Sequence, residues 1–313
     1  MVDTIGGYMK TSILGRVLHV LENKKESVNP KTKVRRISGK ICNLSLFIFI
    51  KPDSEYTISL KGSINKYIHG NNFIPCNRLE IKKAIKKLSN LTQLPFHNLI
   101  LTRIDFGASL AMKSPVKLYL VNLDELPFRY KKLNYANESI YFSNDKRSLI
   151  FYDKIKQCKD HKEEIPSEFF GKNVLRYELR YTKRLAQQFG MKKVYALDLY
   201  NKTFYNELLA RWKRMYSKVK KNRIIMPVNI QGLATFLEYL ISLGIMKLGG
   251  SYKAMSIVDT LFSKEKKDAT KKSRIRMRIR KISSQRNISK SANEIRELNN
   301  KIKGYKSTIS SLP

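Results

Sequence analysis

The sequence predicts an α+β fold: a largely antiparallel sheet with flanking helices, followed by a helical, basic C-terminal region. Three observations carry this expectation. Short runs rich in β-branched and aromatic residues dominate positions 1–200; amphipathic stripes interrupt them without a regular strand–helix–strand alternation; and from Asn201 onward the apolar residues recur at helical spacing.

The elements follow in order. Residues 33–42, 44–51 and 55–64 are β-rich, separated by Asn43 and the Pro52-Asp53-Ser54 turn signal, and so predict a meander. Asn77 with Glu80 three positions on is a capping box, and it opens a helix whose stripe is Leu79, Ile81, Ala84, Ile85, Leu88 and Leu91; Pro95 stops it. Further strands are expected at 99–110, 138–143, 149–155 and 174–181. Helices follow at 203–221, at 229–247, halted by Gly249-Gly250, and at 252–263. The last two could form a helix-turn-helix reading duplex DNA or an ordinary bundle. In the basic tract 264–290, Arg274, Arg276, Arg278 and Arg280 alternate with Ile275, Met277 and Ile279. A period of two suits a strand, while the surroundings suit a helix. A final helix carries Ile288, Ala292, Ile295, Leu298 and Ile302. The expected division is a catalytic domain at 1–200 and a basic accessory region at 201–313.

Charge narrows the function. Among 313 residues, 62 Lys and Arg stand against 25 Asp and Glu, a net +37. Self-repulsion of that size calls for a polyanionic partner, nucleic acid first. No membrane is expected: the longest apolar run, 44–50, is far short of the ~20 residues that span a bilayer, and the opening MVDTIGGYMK has no signal-peptide pattern. Three cysteines without CxxC spacing, Cys42, Cys76 and Cys158, suit a reducing cytoplasm. His19, His69, His97 and His161 are scattered singly, so any metal is expected to be held mainly by carboxylates.

Alternation sorts the strands into faces. Arg176, Glu178 and Arg180 oppose Leu175, Tyr177, Leu179 and Tyr181. Arg103 and Asp105 oppose Ile104 and Phe106, while Tyr152 and Lys154 oppose Leu149, Phe151 and Asp153. If the polar faces coincide, Asp105 and Glu178 could hold Mg²⁺ or Mn²⁺ through oxygen ligands, with Tyr152 as a nucleophile for phosphoryl transfer and Lys154 as its neighbouring cation. Taken singly, these residues also suit a salt-bridge ladder and a packed tyrosine.

Four blocks add a resemblance. GSINKYIHGNN (62–72), LTRIDFGASL (101–110), IYFSNDKRSLIFYDKIKQ (140–157) and VLRYELRYTKRLAQQFG (174–190), with the opening MVDTI, resemble the phage and plasmid replication initiators of the gene II/X family and cover most of residues 1–200. The resemblance implies a metal-dependent rolling-circle initiator of relaxase-like (HUH-like) architecture acting in the bacterial host cytoplasm. It would nick and rejoin one strand of origin DNA through a 5′-phosphotyrosine. Tyr152 and Lys154 of the YxK segment are then the catalytic pair, and Asp105 and Glu178 the active-site carboxylates. The block with Gly62, Ser63, Lys66, Gly70 and Asn72 would shape a DNA-contacting loop. Arg103 and Arg176 would contact DNA. By its excess charge rather than by the resemblance, the basic tract with Arg274, Arg276, Arg278 and Arg280 is expected to be a phosphate-binding arm on the same partner. Expected partners are single-stranded origin DNA and the host helicase and polymerase. The chain departs from the relatives in two ways: the relaxase histidine pair is absent, and Lys156-Gln157 stands where an acid is usual. A non-catalytic origin-binding protein, or a mobilisation relaxase or transposase of the same chemistry, stays open at this point.

Overall fold

Strand periodicity in the first half of the chain builds one sheet. The computed structural model describes residues 1–306 apart from 53–54, 128–129, 137, 226–231, 263–268 and 285–288. Part of the expected Pro52-Asp53-Ser54 turn, the ends of the basic tract and Ile288 therefore lie outside the described residues. Strand β1 (Val2–Thr11) and the short helix α1 (Val17–Val20) precede β2 (Glu22–Val28), β3 (Arg35–Ile41), β4 (Leu44–Ile50) and β5 (Tyr56–Ser63). Helices α2 (Ile64–His69) and α3 (Arg78–Thr92) lead to β6 (Ile100–Met112). Next come α4 (Val116–Leu120), β7 (Lys131–Tyr135), β8 (Ser139–Ser143), β9 (Arg147–Asp153), α5 (Lys154–Asp160) and β10 (Asn173–Tyr181).

These ten strands pair antiparallel in the order β2-β3-β4-β5-β1-β6-β10-β9-β8-β7. The expected meander is β3 to β5. Strands β1, β2 and β7 have no expected counterpart, and β2 shows why: all its residues are exposed at the sheet edge, so Glu22–Val28 has no buried face to impose alternation, and its lysines guard the open edge. Helix α3 has the expected capping box: Asn77 Oδ1 accepts from the amides of Leu79 and Glu80, and Glu80 accepts from the Asn77 amide at 2.7 Å. Ile81, Ala84, Ile85 and Leu88 are buried, whereas Leu79 and Leu91, at the margins of the stripe, are exposed.

Helices α6 (Leu185–Phe189) and α7 (Lys202–Lys218) follow, then β11 (Arg223–Ile225), α8 (Leu233–Lys247), α9 (Ser251–Leu261), α10 (Ala269–Ser284), β12 (Ser289–Ser291) and α11 (Asn293–Gly304). Helix α7 covers one face of the sheet, where Phe151, Tyr177 and Trp212 stack at 4.4 and 4.8 Å. The Trp212 indole donates to the Tyr177 carbonyl, and the Tyr177 hydroxyl donates back to the Trp212 carbonyl.

The core does not divide at residues 200 and 201. Tyr205, Leu208 and Trp212 of α7 and Ile295, Leu298 and Ile302 of α11 belong to the same buried cluster as the sheet. Glu297 of α11 accepts from the Tyr119 hydroxyl and the Lys113 amide. Removing everything after residue 263 would open that core, because α11 is part of it. The excursion lies between β11 and β12, which pair antiparallel, and it contains α8 to α10 with a small cluster of their own, Ile245, Ala254 and Ile282. Helices α8 and α9 meet at a 91° bend. Among the described residues no single helix is long and apolar enough to cross a membrane. The alternating arginines lie on a helix, α10.

Candidate active site

The site arises where β6, β10 and β9 run side by side. Their registers set Arg180 opposite Asp105, Glu178 opposite Gly107 and Arg176 opposite Tyr152. Side chains alternate, so Arg103, Asp105, Tyr152, Arg176, Glu178 and Arg180 share the face opposite Phe151, Tyr177 and α7. Asp3 joins them from β1. A cleft of about 400 Å³ is lined by Asp3, Arg103, Asp105, Tyr152, Glu178 and Arg180, so the expected residues Asp105, Tyr152 and Glu178 do converge.

The hydrogen bonds form one connected network. The Tyr152 hydroxyl donates to Glu178 Oε1 at 3.0 Å. Arg176 donates from Nε to the same oxygen at 2.9 Å, from Nη2 to Asp3 Oδ2 at 2.5 Å, and from Nη1 to the Asn72 carbonyl. Asp105 accepts from Arg103 Nε and Nη2 at 2.9 and 2.6 Å and from Arg180 Nε at 2.9 Å. Arg180 Nη2 reaches Glu178 Oε2 at 3.4 Å. Burial and then the Glu178 charge hold the Tyr152 phenol well above its ordinary pKa. Burial alone would favour neutral Arg176, but Asp3, Tyr152 and Glu178 outweigh it and raise its pKa.

Gly107 makes room for the central carboxylate. A Cβ there would meet the Tyr177 carbonyl at 2.6 Å and Glu178 Cγ at 2.8 Å. Gly107→Ala should therefore push Glu178 aside and destabilise the fold by about 1–3 kcal/mol, as overpacking does, read as a lower denaturation midpoint. An unchanged midpoint would show that the strands can take up the extra methyl group without moving Glu178.

Several expected site residues turn out otherwise. Lys154 does not share a strand face with Tyr152, because β9 ends at Asp153, whose side chain caps α5 by accepting from the Lys156 amide at 3.0 Å. Alternation stops there. Lys154 is fully buried, donates to Gln157, lies 3.6 Å from Glu163 and sits over the Phe73 ring at 5.2 Å. Lys156 lines the cleft instead, paired with Glu138 and Asp160. Arg176, expected on DNA, has no exposed side-chain surface and cannot reach a duplex. Ser63 is an N-cap for α2 and donates to Asp3 Oδ1 at 2.6 Å. Lys66 is paired with Glu163 at 2.6 Å. Asn72 and Arg103 do line the cleft.

On α10, a spacing of two rotates successive arginines by about 200°, so they divide between two sides of the helix. Arg276, Arg278 and Arg280 pair with Asp259, Glu238 and Glu125, while Arg274 is exposed. Asp3, Arg180 and Lys156 are the site residues the sequence reading missed. Alternation had already set Arg180 beside Glu178; Asp3 had only the signal of a lone acid at the start of a β-rich run.

The donor set does not fit a divalent cation as arranged. Both oxygens of Asp105 and of Glu178 already accept from guanidinium or phenol groups, and three arginines neutralise Asp3, Asp105 and Glu178. Mg²⁺ or Mn²⁺ would have to displace Arg103 and Arg180. Elsewhere, the fold gathers donor atoms of His69, Cys76 and Glu80 within 4.8 Å of one another, a grouping that their separation in sequence concealed.

A family model describing the N-terminal part of a phage replication-associated protein matches residues 11–202. That stretch contains Asp105, Tyr152 and Glu178 and leaves Asp3 outside. No curated protein matches the chain.

Proposed function

Since the chain belongs to the family of phage replication-associated proteins, matched over residues 11–202, and has a replication-initiation role, we propose that it nicks and rejoins one strand of origin DNA through Tyr152. The observation that carries this reading is the Tyr152 hydroxyl donating to Glu178 Oε1 at 3.0 Å inside a cleft lined with arginines. A phenol held above its ordinary pKa is a poor nucleophile until a base takes its proton, and Glu178 already accepts that hydrogen bond.

The step is a displacement at phosphorus. The Tyr152 oxygen forms a bond to the scissile phosphate, the bond from phosphorus to the 3′ oxygen breaks, and the phenolic proton passes to Glu178. The leaving 3′ oxygen takes a proton from water in the open cleft. Rejoining is the reverse. Arg103 and Arg180, whose side chains are 24% and 30% exposed, can turn from Asp105 to the phosphate oxygens and offset the charge that develops there. Arg176 stays buried and keeps Glu178 aimed at the phenol.

The test incubates the protein with a labelled single-stranded origin oligonucleotide and looks for an adduct that survives denaturant. Glu178→Gln keeps the side-chain volume but removes the base. Adduct formation should fall by roughly 10²–10⁴-fold, while DNA affinity stays within about twofold. Equal loss of both would make Glu178 a structural residue. If the wild type forms no adduct on any candidate origin strand, origin binding without covalent chemistry becomes the better reading.

A further inference from the structure

A second cavity, of about 440 Å³, opens where α7, α10 and α11 meet. Helix α7 covers the sheet face opposite Tyr152, so this cavity is separate from the cleft. Its lining holds Lys213, Lys220, Lys221, Arg280 and Lys303 against one carboxylate, Asp124. That carboxylate is committed to the start of α9, accepting from the Ser251 hydroxyl and the Tyr252 amide. Lys220 and Arg280 share Glu125, at 3.3 and 3.1 Å. Lys213 and Lys221 each donate to a backbone carbonyl at 2.8 Å, those of Lys303 and Tyr216, and Lys221 also sits over the Tyr216 ring at 4.1 Å, so neither ammonium is satisfied by an anion. Among the described residues no carboxylate pairs with Lys213, Lys221 or Lys303.

Two further observations point the same way. The Ser283 hydroxyl oxygen is buried in the lining and, among the described residues, has no hydrogen-bond partner. Burial, with Lys303 adding to it, pushes the Lys221 ammonium down to about 8. Cations gathered around a solvent-filled space, beside an unsatisfied hydroxyl, are stabilised by an anion that accepts from several directions at once, and a phosphate group has the oxygens to do so.

We propose that this cavity seats a phosphate group, with Lys213, Lys221 and Lys303 supplying the charge and Ser283 a neutral donor. The phosphate belongs either to a DNA backbone or to a free nucleotide, and the two sources make the same contacts.

The experiment uses the full chain and a variant carrying Lys213→Gln and Lys303→Gln, both outside the buried core. Pyrophosphate and a nucleoside triphosphate are titrated at constant ionic strength while the thermal midpoint is followed, and duplex affinity is measured across a range of salt. The wild type should be stabilised by pyrophosphate, and the variant should need at least about tenfold more for the same shift. If the source is DNA, the slope of log affinity against log salt also becomes shallower by about 1 in the variant, one phosphate contact fewer. If the source is a nucleotide, the slope is unchanged and the triphosphate response is lost along with that to pyrophosphate. Wild-type responses in all three measurements would overturn the proposal. Adduct formation by Tyr152 on a short single strand should be the same in both proteins, so this outcome is read independently of the nicking reading.

Discussion

Tyr152→Phe is expected to abolish the covalent protein–DNA adduct, lowering strand cleavage by on the order of 10⁴-fold or more, as removal of a nucleophile does elsewhere. The substitution takes away one oxygen and leaves the ring, so the sheet should be little disturbed. It does free one lone pair on Glu178, but Arg176 still donates to the same oxygen at 2.9 Å, so the carboxylate is not left bare. Unfolding midpoints and DNA affinity should therefore stay close to wild type. Two tyrosines on the opposite face serve as controls. Tyr181→Phe removes a buried hydroxyl that has Arg211 and Arg147 as its charged neighbours, and it should leave adduct formation unchanged. Tyr177→Phe loses the bond to the Trp212 carbonyl, about 1 kcal/mol, and should still form adduct. Adduct at the wild-type level from Tyr152→Phe would remove this residue from the chemistry.

Arg176→Met should be the most destabilising single change in the site, by about 3–5 kcal/mol, because it leaves Asp3 and Glu178 buried without their shared guanidinium. Arg176→Lys keeps the charge but cannot span Asp3, Glu178, Ser109 and the Asn72 carbonyl together, and so should fall between. Arg274→Ala, an exposed position on α10, should change stability by no more than about 0.5 kcal/mol. Chemical denaturation of the three variants reads the difference. Were Arg176→Met as stable as Arg274→Ala but weaker on DNA, the arginine would be a DNA contact after all.

Much of this protein follows from local pattern. Period-two alternation assigned Asp105, Glu178 and Tyr152 to polar faces, and it depends only on the geometry of an extended chain. The opposite face of Tyr177 and Tyr181 is legible for the same reason, and the capping box of α3 is legible from the spacing of Asn77 and Glu80. The net charge of +37, likewise independent of the fold, is what points to a polyanion.

Pairing across distant strands had to come from the tertiary structure. Nothing near Asp3 in sequence announces that β1 inserts between β5 and β6, yet that insertion brings Asp3 to within 2.5 Å of Arg176, a residue 173 positions away. The same pairing turns Arg176 from an expected DNA contact into a buried brace. Lys154 was misplaced because alternation holds only while the strand lasts: at Asp153 the chain becomes helical, and a 100° step per residue turns Lys154 inward and Lys156 toward the cleft. No break in the core coincides with 200/201, because an amphipathic helix records that it has a partner but not which one; α7 and α11 buried their apolar faces on the sheet, whereas α8 to α10 packed on one another. Local periodicity thus determined which side chains are available on each face. The long-range pairing of faces, set by which apolar surfaces bury one another, decided which of them meet.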